Sequence, residues 1–115
     1  MASAFELRQG EEYLSVNWLE YFNSPDRATA VDAVRKVFSE KGFRLRQNGR
    51  FAVFNVGEAT IAVREGVGRS LIIEHLPLDD DGSHAGVFGY TEDDFAVAVE
   101  LKALVSYQDI HPALG

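Results

Sequence analysis

From His75 to Gly86 the chain reads His-Leu-Pro-Leu-Asp-Asp-Asp-Gly-Ser-His-Ala-Gly, and nowhere else do candidate metal ligands and acid/base groups crowd together. His75, Asp79, Asp81 and His84 could serve a small metal-dependent or hydrolytic enzyme, so the stretch is tested against the spacings such chemistry requires. Read as a calcium loop from Asp79, it has Asp81 and Ser83 in the third and fifth places. His84 then stands where the turn glycine belongs and Tyr90 where the chelating Glu belongs, so the pattern fails. Zinc or non-haem iron could take His75, His84 and one Asp, but the spacing matches neither a closed tetrahedral set nor the one-face pairing of a helical HExxH. Gly82-Ser83-His84-Ala85-Gly86 puts Ser83 off the centre of a nucleophile elbow. Gly66-Val67-Gly68 has only the first two glycines of a dinucleotide fingerprint and precedes a strand-like run. No complete ligand set can be assembled, and neither a metal nor a cofactor is expected. With no cysteine, thiolate sites, disulfides and a Cys nucleophile are excluded together.

Charge is distributed more pointedly than any motif. Lys41, Arg44, Arg46 and Arg50 form a stretch free of acids, whereas from Ser70 to Leu101 every charged residue is acidic. Asn48-Gly49 is the signature of a type I′ turn, which would pair Arg46 with Phe51 and Arg44 with Val53 and put Phe43, Leu45, Ala52, Phe54 and Val56 on the core side. The outer face then carries Arg44, Arg46, Phe51 and Val53, a composition common at protein interfaces. The plainer alternative is that a helix covers this face, with the arginine stems lying over Phe51. The three adjacent aspartates are expected to stay hydrated unless a cation or basic partner meets them.

Those groups must be held by regular elements. Alternation of Leu14, Val16 and Trp18 against Ser15 and Asn17, after Phe5 to Arg8, suggests an N-terminal hairpin or paired strands. Ser24, Pro25 and Asp26 open a helix whose stripe is Ala28, Val31, Val34, Val37 and Phe38, with Asp32 placed to meet Arg35 and Lys36, and with Gly42 as the left-handed terminator. Gly57 to Glu65 fits a short helix or a strand, and is read as a strand. Ser70 to His75 reads as a buried strand and Leu76 to Tyr90 as a loop. A last helix, capped by Thr91 with Asp94 three residues on as a weaker form of the capping box, buries Phe95, Ala98, Val99, Leu101, the Lys102 stem and Val105. The tail from Ser106 is read as irregular, with His111 exposed.

The 115 residues, 46% hydrophobic, suit one globular domain, since two cores of roughly 55 residues would each be marginal. The class expected over 1–115 is α+β, an antiparallel or mixed sheet with two amphipathic helices on one face. A net charge of −7 makes nucleic acid an improbable partner. The opening residues lack a signal-peptide pattern and no stretch is apolar enough to span a membrane, so the expected location is the cytoplasm.

Glu6-Leu-Arg-Gln-Gly-Glu11 with Leu14-Ser-Val16, Asn55-Val-Gly57, and Ser83-His-Ala-Gly-Val87 resemble landmarks of small uncharacterised bacterial proteins with an ELRxxE…LSV opening and a later SHA-plus-hydrophobe motif. The resemblance implies a setting among mobile or defence genes and an antitoxin-like or accessory role; it implies no catalytic residue. The expectation is therefore a non-enzymatic module that binds another protein, with self-association left open.

Overall fold

The computed structural model describes residues 5–7, 9–42, 50–106 and 109–112, and its class is α+β. In chain order come β1 (Leu14–Asn17), a 3₁₀ turn (Leu19–Phe22), α1 (Arg27–Glu40), β2 (Arg50–Ala52), α2 (Val56–Val67), β3 (Ile72–His75), β4 (His84–Phe88), α3 (Phe95–Leu104) and β5 (Ile110–Pro112). One antiparallel sheet has the order β1-β4-β3; the other pairs β2 with β5.

The central strand is the least strand-like segment in the sequence. His84-Ala-Gly-Val-Phe, read as part of a loop, is β4, with Leu14 opposite Val87 on one side and Ile73 opposite Val87 on the other. Successive strand side chains alternate between faces, so Leu14, Val16, Ala85, Val87, Ile73 and His75 share one face. Val87 is fully buried there among Ala59 and Val63 of α2 and Val97, Ala98 and Leu101 of α3, with Leu14, Val16 and Ile73 packed at the margin. On the reverse face Tyr13 closes over Gly86, its ring 4.9 Å from that of Phe88 and 6.1 Å from that of His84. A larger residue than glycine at 86 would meet Tyr13. The strand therefore carries small residues where a sequence pattern looks for branched ones.

Several expectations change accordingly. β1 finds its partner in β4 rather than in an N-terminal hairpin, and residues 5–7 form no strand. Phe5 and Leu7 instead plug the core, where the buried Tyr90 hydroxyl donates to the Phe5 carbonyl. Burial, followed by the negative charge of Glu11, raises the Tyr90 pKa, which keeps the phenol protonated as a donor. β3 is an edge strand rather than a buried one, with Ile72 57% exposed.

Gly57 to Glu65, read as a strand, lies inside α2. Asn55 caps it, its side chain accepting from Glu58 N–H at 3.0 Å, and Gly68 ends it in the left-handed conformation. Ala59 and Val63, four residues apart, are fully buried, while Val56, assigned to the core from the hairpin register, and Ile61 face solvent. In α3 the cap is Asp94 rather than Thr91, and Asp94 accepts from Thr91 N–H at 2.7 Å. Val97, Ala98 and Leu101 are buried, but Phe95, Val99 and Lys102 are exposed, so the helix is turned relative to the expected face.

α1 begins after Asp26, whose carboxylate accepts from Thr29 N–H, so Ser24 is not the cap. Val31 and Val34 are buried as expected, Asp32 pairs with Arg35, and Gly42 takes a positive φ. Ala28, placed on the stripe, is exposed and Ala30 is buried in its stead. Within the tail read as irregular, Ile110–Pro112 form β5, and Arg35 donates to the Pro112 carbonyl at 2.7 and 3.0 Å. The Asn48-Gly49 turn and residues 43 to 47 lie outside the described residues; β2, the described remnant of that expected hairpin, pairs with β5.

Gly89 turns the chain out of β4 at φ 112°, and a Cβ there would strike the Ser70 carbonyl oxygen. Gly89→Ala should therefore cost about 2 kcal/mol or more from combined backbone strain and main-chain collision. Urea unfolding measures it, and a midpoint equal to the parent's would contradict this account of the turn.

Candidate functional site

Asp81, one of three adjacent aspartates expected to be hydrated, is only 2% exposed. The β3–β4 connection closes as a tight turn, Leu78 N–H donating to Asp81 O at 3.0 Å and Asp81 N–H to Leu78 O at 3.1 Å. Asp79 and Asp80 stay outside at the tip while Asp81 swings inward. Its carboxylate accepts from Asn17 Nδ2 at 2.8 and 3.1 Å and from Ser83 Oγ at 2.8 Å, and Lys41 Nζ lies 3.5 Å away. Asn17 Nδ2 also donates to Ser83 Oγ at 2.8 Å. Burial pushes the Asp81 carboxyl up, but the Ser83 and Asn17 hydrogen bonds and the Lys41 ammonium outweigh it and hold the pKa below the usual value. Asp81 is thus ionised and structurally committed.

The remaining members of the suspected catalytic loop are not brought together. His75 faces Ala85 across the β3–β4 ladder, and His84 is the next residue along β4, so the two imidazoles lie on opposite faces of the sheet. His75 Nε2–H donates to Gly82 O at 2.6 Å and His84 Nδ1–H to Leu76 O at 2.8 Å. His84 is buried beside Tyr13, with Ser15 Oγ at 3.4 Å from its Nε2. Among the described residues no group of three His, Asp or Glu side chains is arranged to hold a metal ion.

His75 belongs instead to an aromatic cluster that sequence reading missed. Its ring is 5.3 Å from that of Trp18 and 5.9 Å from that of Tyr21, and Tyr21 is 5.5 Å from Phe22. Trp18, assigned by alternation to the buried face of a strand, leaves β1 and starts the 3₁₀ turn. It is 46% exposed and Tyr21 is 48% exposed. The Tyr21 hydroxyl rests against Gly82, where a Cβ would collide with it, and Trp18 N–H donates to Ser83 O at 2.8 Å. The available signal was three aromatics within residues 18 to 22, closely followed by Pro25 and a helix start, which is irregular backbone rather than continued strand.

Of the expected interface on the basic stretch, Arg44 and Arg46 lie outside the described residues. Phe51 is half-buried with its ring 5.5 Å from Phe38 of α1, and Val53, also half-buried, donates its N–H to Asp109 O at 2.9 Å. His111, paired with Phe51 in the β2–β5 ladder, is half-buried rather than exposed, and among the described residues its Nε2 has no hydrogen-bond partner. No helix among the described residues is long and apolar enough to cross a membrane.

No protein-family model, curated protein or solved structure matches the chain.

Removing one member of a buried ion pair strands the other, so Asp81→Asn should destabilise by about 3 kcal/mol, and Lys41→Met in the same chain should restore part of that loss. The pH dependence has a definite sign. The folded-state pKa is lowered, so the stabilisation is complete above the ordinary carboxylate value, about 3.9, and is lost as pH falls through the folded-state value. Urea unfolding of the parent across this acid range should show a steeper fall than that of Asp81→Asn. Equal slopes, or a double variant no better than the single one, would remove Asp81 from its place at the centre.

Proposed function

We propose that the chain is a non-enzymatic protein-interaction module, an accessory or neutralising partner of another protein, acting in the cytoplasm in the bacterial defence or toxin setting that its sequence resemblance suggests. One observation carries the reading: two large aromatic side chains, Trp18 and Tyr21, stand about half exposed on backbone fixed by the Trp18–Ser83 hydrogen bond. Tryptophan and tyrosine held rigidly contribute much contact area at little entropic cost, which is why they dominate binding hot spots. Ordinary surface hydrophobes occur singly and need no such explanation. These two are in one cluster with His75, while of the residues nominated for catalysis His75 and His84 are divided between sheet faces, Asp81 is committed to its own network and Asp79 stays at the exposed tip of the turn. The charge of −7 favours a protein over a polyphosphate partner.

Co-expression with each neighbouring gene product, followed by calorimetry on the purified pair, tests the reading. A saturable stoichiometric complex with Kd near or below about 1 μM is expected, unaffected by His84→Gln. Failure of every candidate to form such a complex, together with a turnover abolished by His75→Ala or His84→Ala, would favour the enzyme instead.

A further inference from the structure

We infer that the surface formed by Trp18, Tyr21, His75 and the Leu78 turn docks a basic segment of a partner protein, one carrying Lys or Arg side chains beside apolar ones. This inference rests on the module reading above and names the partner's chemistry.

The apolar part is the exposed Trp18 and Tyr21, the His75 ring in contact with both, and Leu78, 45% exposed on the turn that leads to Gly82 beneath Tyr21. Among the described residues its exposed rim is acidic. Glu20 sits within the 3₁₀ turn beside Tyr21, and Asp79 and Asp80 form the tip of the Leu78–Asp81 turn; all three are exposed. Among the described residues none of the three has an ion-pair partner, whereas Asp26, Asp32, Asp81, Asp94 and Asp109 are each held by a cation or by backbone N–H groups. Lys41, its side chain largely buried, lies 3.5 Å from the inward-turned Asp81.

Aromatic faces attract cations, and the attraction strengthens when the cation is drawn out of water against an apolar surface. Carboxylates at the rim add long-range steering and charge-assisted hydrogen bonds to guanidinium groups. An acidic partner would meet repulsion at every rim position, and a second copy of this chain brings its own −7. Cationic side chains alternating with aliphatic ones satisfy both halves of the surface.

Trp18 is the sole tryptophan, so its fluorescence reports directly on this surface. The probe is a short peptide of alternating Arg and Leu, with a Glu/Leu peptide of equal length as its counterpart. The Arg/Leu peptide should change the emission saturably, and the Glu/Leu peptide should not. Tyr21→Ala and the double variant Asp79→Asn/Asp80→Asn should each weaken binding about tenfold or more. Glu92→Gln/Asp93→Asn, which removes the same charge beyond β4, should change it by less than about twofold. Equal weakening by the two double variants would mean general attraction to an acidic molecule and overturn the inference. So would an equal response to the Glu/Leu peptide, or a concentration-dependent emission change without peptide that marks self-association. Should a co-expressed partner bind Asp79→Asn/Asp80→Asn as tightly as the parent, this surface fails and the module reading stands. Should the peptide behave as expected while no gene product forms a complex, the surface stands and the assignment of its natural role fails.

Discussion

A buried carboxylate is costly unless its charge and lone pairs are met, and the cost makes Asp81 the constraint on which the arrangement turns. Its partners come from three separate places: Asn17 at the end of β1, Ser83 just before β4, and Lys41 at the end of α1. Desolvating this one group therefore fixes the β3–β4 turn, the far end of the β1–β4 ladder and the exit of α1 at once. Asn17 lies opposite His84 in that ladder, so a one-residue slip of β1 would carry its amide to the other face and away from the carboxylate. Leu14, Val16, Val87 and Ile73 set the register on the hydrophobic face, and this polar lock reinforces it at the strand end. A polar network that is fully satisfied specifies one arrangement; a partly satisfied one would penalise the native state itself.

The same alternation that stacks Val87 between Leu14 and Ile73 settles what the His75 to Gly86 stretch can do. In sequence His75 and His84 look like two ends of one site. In a hairpin whose turn spans Leu78 to Asp81, the pairing of His75 with Ala85 divides them between faces, and each becomes part of a different neighbourhood. His84 goes beneath Tyr13, and His75 joins Trp18 and Tyr21. Proximity along the chain is thus converted into separation in space.

The elements legible in the sequence are those whose signals are local. α1 shows most of its stripe and its terminal glycine; the structure moves its start, because Asp26 outcompetes Ser24 for the cap, and buries Ala30 in place of Ala28. α2 carries equally local marks in Asn55, Glu58 and Gly68, but the short run from Glu58 to Arg64 also alternates, and Ala59 and Val63 decide the matter only once their burial is known. β4 was illegible for a different reason. Its glycine and alanine fit because Tyr13 and the neighbouring strands approach closely, and that approach is tertiary. α3 is apolar on nearly every side, so its sequence does not say which face turns inward. Of the site, the acidic turn and His75 were visible as residue types, whereas the aromatic partners were hidden by a strand pattern that ends one residue earlier than alternation suggests.

Structure and recognition meet in the run Asp79-Asp80-Asp81. Three adjacent carboxylates on one exposed turn would repel one another and remain hydrated, giving a partner no fixed geometry to meet. Turning Asp81 inward spends that charge on Lys41 and Asn17, and the turn so pinned presents Asp79 and Asp80 on fixed backbone. Gly82 follows immediately, and its missing side chain lets Tyr21 settle against the turn, which in turn brings Trp18 and Tyr21 to His75. The buried aspartate and the exposed aromatics are consequently two sides of one device. The first removes conformational freedom from the turn, and the second is the surface proposed to bind a partner, where side chains already ordered before association would lose less entropy on binding.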